Sequence, residues 1–195
     1  MIYNKKLGRV VVITIIILNF IVFIVKGLVG LEIGSLALLS DAVHTLSDSA
    51  SSVAVYLGLK ISEKPADEKH PYGHGRADQI AVLAVGLILI LAAISFISDG
   101  IQSFLRGPDK VIMSTTFYIV IILTAIVKEI MADISYFVGK KIDSDSLKAD
   151  AWHHRGDAIT TVIVLIALFG SEYGYHFLDP IVGVGIALLL VYIGI

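Results

Sequence analysis

The sequence predicts an all-α membrane protein with six transmembrane helices and both termini in the cytoplasm, and three observations carry that reading. Hydrophobic residues make up 56% of the 195-residue chain, charged residues only 16%, and the mean hydropathy is +0.87; ordinary soluble domains carry about 25% charged residues. The apolar residues gather into runs long enough to cross a bilayer, separated by short polar stretches. Lysine and arginine crowd the stretches that an even number of spans places on one side.

The first span, residues 10–31, follows a polar start containing Asn4, Lys5, Lys6 and Arg9. A signal peptide would have a shorter apolar core and a small-residue cleavage site, so this run reads as a retained helix. The second span, residues 33–62, is polar along one side, with Ser35, Ser40, Asp41, His44, Ser47, Asp48 and Ser51. Such a stripe suits a helix that lines a cavity better than one facing lipid. A loop rich in charge, proline and glycine runs from Glu63 to Gly75. The remaining spans are residues 76–105, 113–139, 146–171 and 175–195, joined by links short enough to make sequential helices antiparallel neighbours. The whole chain, 1–195, is expected to be one six-span domain.

Orientation follows from the cations. Lys5, Lys6, Arg9, Lys60, Lys64, Lys69, Arg76, Lys140, Lys141 and Lys148 fall on one side, against Arg106 and Lys110 on the other. By the positive-inside rule the richer side, with both termini, is cytoplasmic. Lys26, Lys128 and Arg155 fall inside spans.

Several function classes are disfavoured. A net charge of -2 without a basic block argues against a nucleic-acid partner. The chain has no cysteine, so it has neither disulfides nor thiolate ligands, and any metal site must use nitrogen and oxygen. An intramembrane metalloprotease would need a His-Glu-x-x-His run, and the sequence has none. No enzyme activity and no organic cofactor are expected.

Two polar pairs carry the chemistry. His44 and Asp48 stand four residues apart in the second span, and His153 and Asp157 repeat the spacing in the fifth. On a helix each pair shares one face, about 6 Å apart at Cβ. At about 1.5 Å per residue both pairs lie near mid-membrane, so two imidazoles and two carboxylates can meet in a tetrahedral shell, the geometry zinc favours. One such pair alone is more often a self-satisfied hydrogen bond. Two at matching depth point to function, because ionisable groups inside a membrane are costly. Protonatable ligands also let an ion leave when protons compete.

Neighbouring polar residues read differently. His154 and Arg155 lie about 100° and 200° around the helix from His153. His154 is therefore expected to contact the ligands or a neighbouring helix, and Arg155 to pair with a buried acid such as Glu129 or Asp133. Asp41 reads as a packing or supporting carboxylate. Lys128, Glu129 and Asp133 read as one internal, structural charge network. Trp152 is a helix-packing aromatic or, alternatively, an apolar plug.

Asn19, Lys26, Gly30 and Ser35, followed by Ala37-Leu38-Leu39-Ser40-Asp41-Ala42-Val43-His44-Thr45-Leu46-Ser47-Asp48, closely resemble the opening of the cation diffusion facilitator family of metal/proton antiporters. The resemblance continues through the loop Pro65 to Arg76, the fifth-span run Ala149 to Asp157, and Asp179-Pro180. It implies a divalent cation, most often zinc, exported from the cytoplasm in exchange for protons. Iron, manganese, cadmium or cobalt are alternative cargoes, since affinity order alone does not select the metal. A membrane scaffold that binds metal without moving it is the reading from another class. The resemblance assigns His44, Asp48, His153 and Asp157 to the transport site, and Asp67, His70 and His74 to a second metal site in the cytoplasmic loop. It also implies a homodimer in a lipid bilayer, here expected to be a prokaryotic inner membrane. Ala81, Ala84 and Gly86 on the third span would allow close helix approach. Family members usually continue into a cytoplasmic ferredoxin-like domain, which this sequence, ending at Ile195, is expected to lack.

The loop residues alone leave two readings open. Asp67, His70 and His74 offer three ligands within eight residues, with Gly73 and Gly75 to fold them together. They equally suit a polar turn with solvated or helix-capping histidines. The family resemblance favours metal. Replacing both His70 and His74 by Ala should remove a weaker bound ion yet leave substantial flux in proteoliposomes. Complete loss of flux in a folded protein would count against a separable loop site.

Overall fold

The computed structural model describes residues 2–62, 71, 73–74, 77–107 and 113–194. Six helices account for nearly all of them: α1 (Ile2–Ile33), α2 (Leu36–Ser62), α3 (Ala77–Arg106), α4 (Thr115–Ile142), α5 (Asp145–Glu172) and α6 (Leu178–Gly194). The chain is an all-α transmembrane domain. Three stretches, Val10–Ile33, Leu83–Arg106 and Leu147–Glu172, are long and apolar enough to cross a membrane, with mean hydropathies of 2.7, 2.2 and 1.2.

Helix ends differ from the expected spans where local chemistry decides them. α1 starts at Ile2, ahead of the apolar run, because a helix needs apolar side chains only where it meets lipid. α2 starts at Leu36 rather than residue 33, since Gly34 adopts φ 67°, a left-handed conformation that breaks the helix. α4 and α5 open on serine caps: Ser114 accepts from the Phe117 N–H and Ser144 from the Leu147 N–H. A turn in which the Leu178 N–H donates to the Tyr175 carbonyl, at 3.0 Å, delays α6 to Leu178.

The distribution of polarity is inverted relative to a soluble bundle. Leu28, Leu83, Leu91, Ile130, Ile163, Ile166 and Leu188 face outward, whereas Asn19, Lys26, Asp41, His44, Lys128, His154 and Asp157 are buried. Small apolar clusters flank the polar centre. Leu38, Ile121, Val164 and Leu168 pack together in one, and Val11, Ile15, Met131 and Leu147 in another. α2 is the central helix, touching α1, α3, α5 and α6. α4 packs on α5 and α1, while among the described residues α3 meets only α2 and α6.

One cross-chain cap fixes α2. Asp179, at the start of α6, accepts hydrogen bonds from the Ser35 hydroxyl and from the backbone N–H groups of Leu36 (2.8 Å) and Ala37 (3.4 Å). The buried carboxylate therefore meets the positive end of the α2 dipole and satisfies donors that no preceding turn can reach. Gly183 lets the two helices close at this point, because a Cβ there would stand 2.9 Å from the Ala37 nitrogen. Asp179→Ala should lower stability by about 1 kcal/mol, in the range of lost helix caps. Thermal unfolding in detergent should show the drop, with a smaller effect for Asp179→Asn, which keeps an acceptor.

Candidate metal centre

The four membrane residues singled out by spacing come together in the structure. α2 and α5 run antiparallel, so the His-Asp pair of one meets the reversed pair of the other. His44 Nε2 stands 3.4 Å from Asp157 Oδ1, and His153 Nε2 stands 3.1 Å from Asp48 Oδ1. His153 also lies 3.9 Å from Asp157 Oδ2, and the two imidazole centroids are 6.2 Å apart. His44, Asp48 and Asp157 each offer an atom within 4.8 Å of the others. Donors in a tetrahedral shell with bonds of about 2.0–2.2 Å stand about 3.5 Å apart. Two nitrogens and two carboxylates without thiolate suit hard or borderline divalent cations.

His153 is the open member of the set. The side chain of His44 is 5% exposed and that of His153 is 44% exposed. His153, Asp48, Asp150 and His154 line a cavity of roughly 550 Å³ that reaches past Asn19 to Gly8, Ile142 and Ser144. These last three mark the end of the bundle where α1 begins, α4 ends and α5 begins.

A second set of buried groups surrounds the four. Lys26 Nζ is 2.8 Å from Asp41 Oδ2 and donates to Thr161 Oγ1 at 2.8 Å, all three residues having no exposed surface. Thr161 in turn donates to the Asp157 carbonyl and reaches Asp41 Oδ2 at 3.2 Å, continuing the α2–α5 register one turn beyond His44 and Asp157. Lys128 Nζ donates to Asp157 Oδ2 at 2.6 Å and lies 3.8 Å from Asp48 Oδ2. His154, also buried, places Nδ1 3.6 Å from Asp157 Oδ2 and Nε2 3.3 Å from Asp150 Oδ2.

Residues 12–195 match the family described as the cation efflux transmembrane domain. The chain belongs to the cation efflux family. It is 37% identical over 172 residues to an uncharacterized transporter of Methanocaldococcus jannaschii, covering 88% of this chain and 60% of the relative. It is 32% identical over 179 residues to the manganese efflux system protein MneP of Bacillus subtilis, covering 90% and 60%. The cation-efflux pump FieF of Klebsiella pneumoniae is 31% identical over 160 residues, covering 82% and 53%. The chain thus spans little more than half the length of these relatives.

Three expectations about this cation efflux domain need correction. Lys128, Glu129 and Asp133 do not form one network. Lys128 points inward, while Glu129 and Asp133 lie on another face, 49% and 67% exposed, where they meet Arg155 at 3.2 and 2.9 Å. The pairing partners of Arg155 are the expected ones, but the acids are not buried. The helical period explains the split, since Lys128 shares its stripe with buried Thr124, Met131 and Ser135, whereas Glu129 and Asp133 are four apart on the next. Trp152, exposed, neither packs between helices nor plugs the site; the Arg155 guanidinium stands 5.3 Å from the centre of its ring. Of the loop residues, Asp67 and His70 lie outside the described residues, and His74 is half-buried.

Sequence reasoning underweighted Lys26 and Lys128. The signal available was the inward stripe of each helix: Asn19, Val22, Lys26 and Val29 on α1, and Thr124, Lys128, Met131 and Ser135 on α4. Removing one partner of a buried ion pair leaves an uncompensated charge and costs about 3–5 kcal/mol. Lys26→Met should destabilise the protein by that order, and Lys26→Met with Asp41→Leu should recover most of it. A double-mutant cycle of unfolding in detergent would measure the difference.

Proposed function

We propose that this chain carries divalent metal cations, zinc first among them, out of the cytoplasm in exchange for protons, holding the ion between α2 and α5 with His44, Asp48, His153 and Asp157. The observation that carries the reading is the interlock of the two His-Asp pairs, His44 against Asp157 and His153 against Asp48. Zinc suits a compact shell of two nitrogens and two oxygens. Manganese is the second reading, supported by similarity to the manganese efflux system protein.

The direction of access supports loading from the cytoplasm. The cavity beside His153 opens at the end of the bundle near Lys140, Lys141 and Lys148, the side that the cation bias places inward. A homodimer through α3 belongs to the same proposal. Leu83, Leu87 and Leu91 form an outward apolar stripe, 72%, 57% and 59% exposed, on a helix that meets few others. The loop site of Asp67, His70 and His74 is proposed on the family resemblance.

Mechanism follows from the ligand chemistry. A metal-bound imidazole nitrogen must be unprotonated and a metal-bound carboxylate ionised, so protons and metal exclude one another at the same atoms. Metal affinity should therefore weaken as pH falls. If affinity stays flat between about pH 5.5 and 7.5, where histidines commonly titrate, proton coupling is wrong although the site stands. In proteoliposomes, His153→Ala should abolish tight binding and pH-dependent exchange together. His154→Ala, which removes a contact to Asp157 but no ligand, should weaken both by less. A folded His154→Ala protein more damaged than His153→Ala would shift the ligand face by one position.

A further inference from the structure

Lys128 comes from α4, a helix that supplies none of the four ligands, yet its ammonium reaches the centre of the site. It is fully buried, 2.6 Å from Asp157 Oδ2 and 3.8 Å from Asp48 Oδ2. Asp157 is divided among its neighbours: Oδ1 faces His44 Nε2, and Oδ2 faces Lys128 most closely, at 2.6 Å, with His154 Nδ1 at 3.6 Å and His153 Nε2 at 3.9 Å. The other buried lysine is not available to these carboxylates, because Lys26 is held by Asp41 and Thr161. Among the described residues, Lys128 is the buried lysine that reaches both Asp48 and Asp157.

We propose that Lys128 is a tethered counter-cation that positions Asp157 and sets the affinity of the site low enough for a divalent ion to leave. The proposal rests on the transport reading above and deepens it. With neutral imidazoles, two carboxylates and one ammonium leave a single negative charge. A divalent ion then makes the loaded site positive, which a poorly solvated interior disfavours. Without the ammonium the same two carboxylates would exactly neutralise the ion and hold it tightly. Lys128 also occupies lone pairs of Asp157 Oδ2, so an ion that takes that oxygen must displace it. The bound ion is thus opposed by a charge that cannot diffuse away.

A lysine that served only to fasten α4 against α5 would have the opposite signature. Its loss would loosen the ligands and weaken binding. Removal of a counter-cation should tighten binding and slow release. The test uses the intact chain, with zinc and manganese as probes, by equilibrium binding in detergent and by flux in proteoliposomes. Lys128→Met keeps the length and apolar bulk of the side chain and removes the charge. It should bind zinc at least about tenfold more tightly, with KM and kcat both falling, while Lys128→Arg, which keeps the charge, should stay nearer the unsubstituted protein on both. If Lys128→Met does not fold, Lys128→Gln, which retains a donor for Asp157, carries the same expectation. A folded neutral variant with unchanged or weaker affinity overturns the proposal and leaves the transport reading standing. An unsubstituted protein that binds neither metal overturns the transport reading itself.

Discussion

Charge buried beneath an apolar surface is the constraint on which this structure turns. Lys26, Asp41, Lys128 and Asp157 lie inside a shell of outward-facing leucine, isoleucine, valine and phenylalanine, with Asp48 only slightly more open. An isolated charge there would cost several kcal/mol. Each is instead matched across a helix interface: α1 to α2 through Lys26 and Asp41, α4 to α5 through Lys128 and Asp157, and α2 to α5 through the His-Asp pairs. Helix packing is thereby specified by polar partners in an environment where apolar contacts choose weakly, since lipid tails are as apolar as leucine.

The register between α2 and α5 is the most demanding of these matches. Along the antiparallel pair, Asp41 meets Thr161, His44 meets Asp157, and Asp48 meets His153. A slide of one turn would set each carboxylate against the wrong group and leave at least one buried acid unmatched. At its N-terminus α2 is also fixed against α6, where Asp179 caps it and Gly183 allows the close contact. The cap and the site lie on the same helix, with His44 and Asp48 about two to three turns beyond the capped end.

What could be read from sequence was what repeats locally. Six apolar runs, the polar stripe on α2 and the four-residue spacing of His44 with Asp48 and His153 with Asp157 are all periodicities within one helix. Gly34 shifted the start of α2, and α1 begins well ahead of its apolar run, because hydropathy reports lipid contact and not helix continuity. The partners of Lys26, Lys128 and Asp179 join elements distant along the chain, so no window of sequence contains them. Lys128 shows the limit well. Proximity in sequence grouped it with Glu129 and Asp133, while a rotation of about 100° per residue put it on a different face and beside a different acid. For Arg155 the partners were legible but their exposure was not, since exposure depends on what packs outside α4 and α5.

Under the proposed function, the four candidate ligands sit on α2 and α5 and Lys128 on α4, which separates holding the ion from releasing it. The ligands can keep their mutual distances as long as α2 and α5 hold register. On that reading the counter-cation and much of the cavity wall belong to other helices, α4 and α1. Moving α4 away from α5 would withdraw positive charge from Asp157 and strengthen the pull on a divalent ion, and moving it closer would weaken that pull. On the same reading a shift of α4 would act on affinity and a shift of α1 on access, and these two helices pack on each other. Under the proposed function this coupling gives the ion a reason to leave that does not require its ligands to part.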